Sequence, residues 1–485
     1  MAARVASNAL LLLSARTLSK IAVFFSVILT LRALHPDGYG QFTAIVVLGN
    51  VASIVADLGL QTVFVREGSR HRDELGRYLG VTLAAKLPLA LAGGLVLILI
   101  TALFAHDLLF LVGPTLVLVL VTGTGNVLRS CFFARGEMRY EVYAIGVETG
   151  VLLVLTVLFS QTHQGVAAFI WAYAASYTAA GAFAAAVVTR RYTPIRLRFE
   201  SVLLRRTVRQ SLPFAIAFVL GTLYFRIDVV LLRDLTRSPD PNRQVGIYSA
   251  AVKFIDGITF IPQAVMNAVY PALSVLSGEG VAPFRRAYER AYRLLAALGM
   301  PATVGFVILA PAIVRYTHVF RESATSLRIL GISLFLIFVV NSFLYVLGAL
   351  DRQANFIVLT GLSVTFNVVL NVIVIPRFPV ERGYDATSWT TVATELFLFV
   401  LGYIALSRAL GRLAFFRPIL PILLSGAVMA AVMYPLRNRA PIPDAVLGLA
   451  VYSVAMVLSR GVTRDELRMG EGIIRARLGR PRPAP

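Results

Sequence analysis

The 485-residue chain is 58% hydrophobic and only 15% charged, which excludes an ordinary soluble globular protein. Its mean hydropathy of +0.77 predicts an all-α polytopic membrane protein instead. The formal net charge of +21 does not indicate a nucleic-acid partner, because the arginines form short clusters between apolar segments rather than one continuous basic face. We therefore expect membrane lipids as partners and no nucleic acid.

Fourteen apolar stretches are long enough to cross about 30 Å of hydrocarbon as helices. Pro, Gly and Asp mark the clearest breaks between them, at 35–40, 237–243 and 376–385. The predicted spans are 8–34, 40–65, 78–105, 108–128, 142–160, 165–189, 210–232, 245–276, 294–314, 327–350, 354–376, 386–407, 418–436 and 442–459.

The Lys and Arg residues outside the spans predict the orientation. Arg4, the loops after even-numbered spans and the C-terminal tail hold 30 of the 46 cations, whereas the loops after odd-numbered spans hold 11 when Arg32 and Arg328 at the adjoining span ends are counted with them. Because short cytoplasmic loops retain positive charge, both termini are predicted to be cytoplasmic. The remaining five cations lie farther inside predicted spans.

A basic segment near the middle of the chain predicts a division into two lobes. RRYTPIRLRFESVLLRR (190–206) mixes arginines with apolar residues, which is typical of a segment that lies at the lipid surface. The predicted organisation is an N-terminal lobe (1–189), an amphipathic cytoplasmic linker (190–209), a C-terminal lobe (210–410), two further spans (411–460) and a basic cytoplasmic tail (461–485).

A short internal repeat also favours two lobes. The first span ends in LRAL and the second begins with GQFTA (40–44), while the seventh ends in LRDL and the eighth begins with GIYSA (246–250). Six spans separate the copies, so both have the same orientation. We therefore expect the copies to be related by an axis along the membrane normal.

The first span contains two cations, Arg16 and Lys20, on one helical face. A cation near the bilayer centre costs about 2.5–3.5 kcal/mol on the insertion scale. Lys20 lies roughly 17 Å and 21 Å from the two ends of the apolar stretch, farther than a lysine stem easily reaches. We expect both cations to face a polar cavity. The alternative is that the helix begins near Arg16, leaving both at the cytoplasmic interface.

Charged residues recur in spans seven and eight. FRID places Arg226 and Asp228 in one span, and KFID places Lys253 and Asp256 in the next. These residues either contact a ligand or form structural ion pairs within the bundle. Lys86 has no acidic neighbour in its span, which favours a cavity role. Three further acids lie alone within spans and are candidates for proton or cation coupling, or for caps and water-bound groups: Asp57, Glu148 and Glu395.

Several enzyme classes have no support in the sequence. The chain contains no GxxxxGK[ST] phosphate-binding loop and no HExxH motif, and Cys131 is its single cysteine. No loop is long enough to form a catalytic domain. We therefore expect no catalytic residues, no metal site and no cofactor.

Four segments in combination resemble a known family. They are the first span with its Ser, Arg and Lys residues, HPDGYGQF (35–42), ADLGLQTVFVRE (56–67) and GIYSAAVKF (246–254). The whole chain resembles the polysaccharide transporter branch of the multidrug/oligosaccharidyl-lipid/polysaccharide exporter superfamily. The resemblance implies two six-helix lobes around a central cavity, with helices thirteen and fourteen as additions. It also implies transport of lipid-linked oligosaccharides across the bacterial inner membrane, with a glycan polymerase or glycosyltransferases as partners.

The resemblance suggests a task for the intramembrane charges. An undecaprenyl-pyrophosphate-linked oligosaccharide has an anionic head, which cations in an inward-open cavity would attract. A rocking movement of the two lobes would then expose this head on the outer side. Membrane potential or exchange of a proton or monovalent cation would supply the energy. The proposed substrate-binding cations are Arg16, Lys20, Lys86, Arg226 and Lys253; the proposed residues for ion coupling or ion pairing are Asp57, Glu148, Asp228, Asp256 and Glu395.

Three alternative functions remain at this stage. A flippase for lipid II, the peptidoglycan precursor, would use the same cationic cavity. A multidrug/cation antiporter would rely more on carboxylates, so the excess of cations within the spans argues against it. A membrane glycosyltransferase or glycan polymerase would need a large outer loop with acidic or His residues, which the sequence lacks.

Overall fold

A computed structural model describes residues 2–411, 418–437, 440–459 and 461 of the chain. These residues form helices, short turns and loops, and no strand occurs among them. The all-α prediction is confirmed. The predicted basic tail (461–485) lies outside the described residues except for Gly461.

Fourteen α-helices occur within the described ranges. They are α1 Ala2–Asp57, α2 Leu60–Arg70, α3 Leu75–Phe104, α4 Val112–Arg135, α5 Met138–Gln161, α6 Val166–Arg191, α7 Ser201–Leu235, α8 Pro241–Leu276, α9 Val281–Thr317, α10 Ser323–Ala349, α11 Gln353–Val374, α12 Gly383–Leu410, α13 Leu420–Met433 and α14 Pro441–Leu458.

Eleven helices of the described chain are long and apolar enough to cross a membrane, or twelve if the two bent halves of α7 form one span. The protein is therefore a multi-pass membrane protein. The predicted count of fourteen is approximate, for two reasons. The first two predicted spans merge in α1, which breaks only at His35 (φ 55°, ψ 176°), and predicted span thirteen corresponds to a shorter apolar helix, Leu420–Leu436.

The described residues form two compact units that are interleaved in sequence. The first unit comprises Met1–Gly257, Thr317–Ser326 and Ile357–Thr394, and the second comprises Ile258–Tyr316, Leu327–Phe356 and Glu395–Pro485.

Close packing in the second unit depends on small residues. Gly299 lies against the ring of Phe338, and Gly426 lies against Met300. A glycine lets a neighbouring helix approach more closely than a larger side chain would. These contacts place α9 against α10 and α13.

In the first unit, the segment that follows α6 packs against α3. Ile195 contacts a buried core that includes Phe132, and the Arg198 amide donates to the carbonyl of Gly80 at 3.2 Å. Helix α7 begins at Ser201, so the second half of the predicted linker (190–209) is helical. A position at the lipid surface stays a prediction.

An ion pair also joins this segment to α3. Arg77 of α3 donates to Glu200 at 2.8 Å, and this hydrogen bond lowers the pKa of Glu200 below its usual range. Both side chains are partly exposed, so the pair positions the segment more than it stabilises the fold.

The repeated GQFTA and GIYSA motifs meet where α1 crosses α8, inside the first unit. A Cβ atom on Gly40 would overlap the carbonyl oxygen of Asn242, and a Cβ atom on Gly246 would overlap the carbonyl oxygen of Pro36. Each overlapped carbonyl belongs to the residue four positions before the other glycine. The contact is therefore reciprocal, as expected where two copies of a repeat meet at a two-fold axis.

The repeated LRAL and LRDL motifs also make equivalent contacts. Arg32, near the end of the first half of α1, donates to the carbonyl of Thr317, the last residue of α9, at 2.7 Å. Arg233, near the end of α7, donates to the carbonyl of Phe104, the last residue of α3, at 2.7 Å. Each arginine thus caps a helix that belongs to the other copy, at a C-terminus where unpaired carbonyls and the helix dipole favour a cation.

We predict that Gly246→Ala destabilises the protein by about 1–3 kcal/mol, because the added methyl overpacks the crossing of α1 and α8. Gly146→Ala is the matched control, since nothing lies within 4 Å of a Cβ at that position. The control substitution should be neutral or stabilising by up to about 1 kcal/mol through helix propensity. Denaturant unfolding in mixed micelles measures the free energy of unfolding of both variants. Equal stability of the two variants would contradict close packing at the crossing of α1 and α8.

Candidate functional site

Three of the five predicted cations interact with one carboxylate in the first unit, and a fourth, Arg16, lies one helical turn from one of them. Arg226 from α7 lies 3.6 Å from Asp256 of α8, and Lys253, one turn before Asp256, lies 3.7 Å from the same oxygen. From α1, Lys20 is subject to the charges of Asp256 and Arg16. We call these five residues the cation cluster. Four cations and one carboxylate leave a formal excess of three positive charges.

Helix packing and register explain how the cation cluster forms. Phe24 of α1 makes an edge contact with Phe254 of α8 at 5.7 Å, and its ring also packs beside Gly257. This contact lies one turn from Lys20 and beside Lys253, so it brings the charged faces of the two helices together.

The cation cluster is accessible to a ligand. The side chains of Arg226 and Asp256 are 30% and 37% exposed, so a bound group can reach both. Helix α1 begins at Ala2 rather than near Arg16. Both cations of α1 are therefore flanked by helix on either side.

The fifth predicted cation, Lys86, is paired elsewhere. Its Nζ lies 2.7 Å from Asp57, and the two side chains are 5% and 25% exposed. Gly123 makes room for this arrangement, because a Cβ on that residue would lie 2.7 Å from the lysine nitrogen. The structure therefore combines two residues that the sequence assigned to different roles, a substrate-binding cation and a coupling acid.

The Lys86–Asp57 pair lines a cavity of about 310 Å³ in the first unit. Residues of α1, α2, α3, α4 and α7 form its wall, and the amides of Asn50, Gln61 and Asn126 are among them. Within the described part of the chain, these three side-chain amides form no hydrogen bond with another residue. The N-lobe cavity, as we call it, therefore combines an ion pair with amide donors and acceptors that the protein does not use.

Glu148 belongs to a three-residue ion network. Arg129 of α4 binds both carboxylate oxygens of Glu141, at 2.8 Å and 3.0 Å, and reaches Glu148 at 2.5 Å. The side chains of Arg129, Glu141 and Glu148 are 12%, 5% and 23% exposed, respectively. The forked guanidinium suits two acceptors at once, so this network joins α4 to α5. Sequence reasoning missed Arg129 because it lies just beyond the predicted fourth span.

Asp228 lies in a buried network of neutral groups. Its carboxylate accepts hydrogen bonds from Asn371 at 3.0 Å, Tyr248 at 3.0 Å and Thr391 at 3.1 Å. Asn371 also donates to the side-chain oxygen of Asn367 at 3.0 Å. No Lys or Arg of the described chain lies within 4.0 Å of Asp228, in contrast to Asp256 of α8.

Glu395, the last of the predicted coupling acids, lies in the second unit and is only 6% exposed. No group of three or more His, Cys, Asp or Glu side chains in the described residues is arranged to hold a metal ion.

The buried network around Asp228 had one signal in the sequence. This signal is the pair of asparagines four residues apart in an apolar span, at 367 and 371.

Comparison with known proteins determines the family. Residues 5–277, more than half of the chain, match the family described as polysaccharide biosynthesis protein. The chain belongs to this family. This match confirms the resemblance to a polysaccharide family that the sequence predicts, whereas no curated protein matches this family member by sequence.

Several solved transporter structures share the fold of this family member. The lipid II flippase MurJ in an inward closed conformation has a TM-score of 0.78 at 14% identity, covering 94% of this chain and all of MurJ. An inward-facing multidrug resistance transporter of the MATE family has a TM-score of 0.64 at 16% identity, covering 80% of this chain and 95% of its own. The MATE multidrug transporter DinF-BH has a TM-score of 0.56 at 16% identity, covering 84% of this chain and 96% of its own.

We predict that Arg129→Gln destabilises the protein by about 3–5 kcal/mol, because two largely buried carboxylates lose their shared cation. The control is Arg139→Gln, which removes an arginine whose side chain is 60% exposed and should change stability little. Adding Glu141→Gln and Glu148→Gln to Arg129→Gln should restore part of the loss. Denaturant unfolding tests this; no recovery in the triple variant would contradict a network held together by charge.

Proposed function

We propose that this protein is a flippase rather than an enzyme. It moves a lipid-linked oligosaccharide, joined to its carrier through phosphate or pyrophosphate, from the cytoplasmic to the outer leaflet of the bacterial inner membrane for cell-surface polysaccharide synthesis. The observation that carries the proposal is the cation cluster, in which three cations from three helices interact with the single carboxylate of Asp256 and a fourth, Arg16, lies one turn from Lys20. Membership of the polysaccharide biosynthesis protein family supports the same substrate class.

The chemistry of the cluster suits a pyrophosphate. An anionic head and a polar glycan cannot enter hydrocarbon, whereas the prenyl chain can stay in the lipid. Arg16 and Arg226 present planar forks that match phosphate oxygens, and Lys20 and Lys253 act as point charges. Asp256 lowers the net attraction, which favours release after the lobes have rocked. The glycan would then reach a polymerase or glycosyltransferases on the outer side.

A lipid II flippase is the second candidate. Its specific support is the TM-score of 0.78 to MurJ, with the two chains alike over nearly their whole lengths. Lipid II also carries a pyrophosphate, so the cation cluster serves either substrate. Competition separates the two: transport of a pyrophosphate-linked oligosaccharide that lipid II blocks completely at equal concentration would favour the second candidate.

We predict that Arg16→Ala combined with Lys20→Ala reduces flipping at least about ten-fold, because two of the four cations in the cluster are lost. The measurement follows a fluorescent pyrophosphate-linked oligosaccharide in proteoliposomes, after insertion and folding have been matched. Arg205→Ala combined with Arg206→Ala is the control, since it removes the same charge from an exposed segment of α7. Undiminished flipping by the first variant would place its cations outside the substrate path.

Asp228 is our proposed coupling site. Its carboxylate accepts three hydrogen bonds from neutral donors and has no Lys or Arg beside it within the described chain. Such a site suits binding of a proton or a small hard cation, because these ions bind oxygen ligands. Rotating the amide of Asn371 by half a turn would present its oxygen beside the carboxylate, and the hydroxyls of Tyr248 and Thr391 would add two more.

Two of the other candidate acids suit ion coupling less well. Asp57 is already paired with Lys86, and Glu148 is already bonded to Arg129. An incoming ion would have to displace a cation that is fixed to the protein, which the neutral surroundings of Asp228 do not require.

We predict that Na⁺ or acidification raises the melting temperature of the wild type, because an ion that binds only the folded state stabilises it. Asp228→Asn should abolish this response, while Asp240→Asn, which changes an exposed carboxylate, should retain it. Thermal unfolding in detergent, with choline chloride holding ionic strength constant, is the measurement. An unchanged response in Asp228→Asn would contradict the coupling role.

A further inference from the structure

The N-lobe cavity contains an ion pair that leaves its interior electrically neutral. Lys86 packs against Gly123, and its side chain is only 5% exposed. The side chain of Asp57 is 25% exposed and is therefore the more accessible partner. Because the carboxylate has one oxygen paired with the lysine, its other lone pairs remain available to accept from a ligand. A neutral site of this kind offers little to a phosphate, and the cation cluster offers far more.

The lining of the cavity suits hydroxyl groups. The side-chain amides of Asn50, Gln61 and Asn126 each provide two donors and one acceptor oxygen, and no other described residue uses them. Sugar hydroxyls both donate and accept, so they can satisfy amides and a carboxylate together. An acyl chain would leave all of these groups unpaired, which is costly away from water.

Size and shape also suit a sugar ring. The volume of about 310 Å³ lies at the lower end of the range of ligand pockets, roughly 300–1,000 Å³. Phe218, which is 54% exposed, contributes an aromatic face to the wall. A flat apolar surface beside convergent polar groups is the usual composition of a small-molecule site.

The cavity lies within reach of a substrate held at the cation cluster. Phe218 and Arg226 are eight residues apart on α7, which corresponds to about 12 Å along the helix axis. A glycan joined to a pyrophosphate at Arg226 extends from that point as a chain of rings. One of these rings can therefore occupy the cavity while the phosphates remain at the cluster.

We propose that the N-lobe cavity is a carbohydrate subsite that binds one sugar ring of the transported glycan through Asp57 and the three amides. The inference rests on the proposed function. The cluster binds the part of the substrate that all prenyl-pyrophosphate carriers share, and the cavity binds the part that differs between glycans. The subsite therefore contributes selectivity for the glycan.

Thiol protection tests this proposal in the full-length protein. Cys131 is fully buried, so a thiol reagent in water labels only the introduced cysteines. Ser53→Cys reports on the cavity wall. Thr17→Cys, which lies between Arg16 and Lys20 on α1, reports on the cluster. Val202→Cys, at a position 83% exposed, is the control. A water-soluble thiol reagent is applied with undecaprenyl pyrophosphate or with lipid-linked oligosaccharide extracted from the native host membrane.

We expect the oligosaccharide extract to slow labelling of Ser53→Cys about five-fold or more, and undecaprenyl pyrophosphate to leave it unchanged. Both probes should protect Thr17→Cys, and neither should protect Val202→Cys. Adding Asn126→Leu, which keeps the shape but removes the amide, should weaken protection of Ser53→Cys several-fold and leave Thr17→Cys protected.

Two results would overturn the subsite while the proposed function stands. One is protection of Thr17→Cys by the extract without protection of Ser53→Cys; the other is equal protection of Ser53→Cys by the sugar-free carrier. A Ser53→Cys thiol that never reacts in the free protein would also overturn it, because a closed cavity admits no sugar. Failure of both probes to protect Thr17→Cys would instead overturn the proposed function, and the subsite with it.

Discussion

The cost of placing a charge in hydrocarbon organises the interior of the first unit. Its buried charges are compensated in three different ways within the described residues. Lys86 and Asp57 neutralise each other, Arg129 serves two carboxylates, and Asp228 rests among neutral hydrogen-bond donors. Since an unpaired ion inside a membrane costs several kcal/mol, these partners must be in place for the helices to insert and pack.

The cation cluster departs from this pattern, because it contains four positive groups and only one carboxylate. Excess charge of one sign is unfavourable for stability and useful for binding the opposite sign. The N-lobe cavity has the reverse character, with balanced charge and unused amides. We infer that a substrate with an anionic end and a neutral, hydroxyl-rich end matches both sites at once, which neither site would indicate alone.

The helices could be predicted from the sequence because a long apolar stretch depends only on residues that are neighbours along the chain. The bend in α1 at His35 coincides with a predicted break, and the prediction failed mainly at ends, as where α7 begins at Ser201. Charged residues of the site could also be selected, because a charge inside an apolar span is itself a signal. Their partners could not be predicted, since helix rotation and register decide them. Lys86 therefore pairs with Asp57 of another helix, an acid that was predicted to have a different role.

The crossing of α1 and α8 couples two distant parts of the gene. Gly40 touches the backbone at Asn242, and Gly246 touches the backbone at Pro36, so each copy of the repeat supplies the surface that restricts the other. A larger residue at either glycine cannot be accommodated by changing a nearby side chain, because the obstacle is main chain. The two halves of the chain therefore cannot diverge independently at this crossing. Sequence similarity between the two copies of the repeat should persist here after it has been lost at other positions.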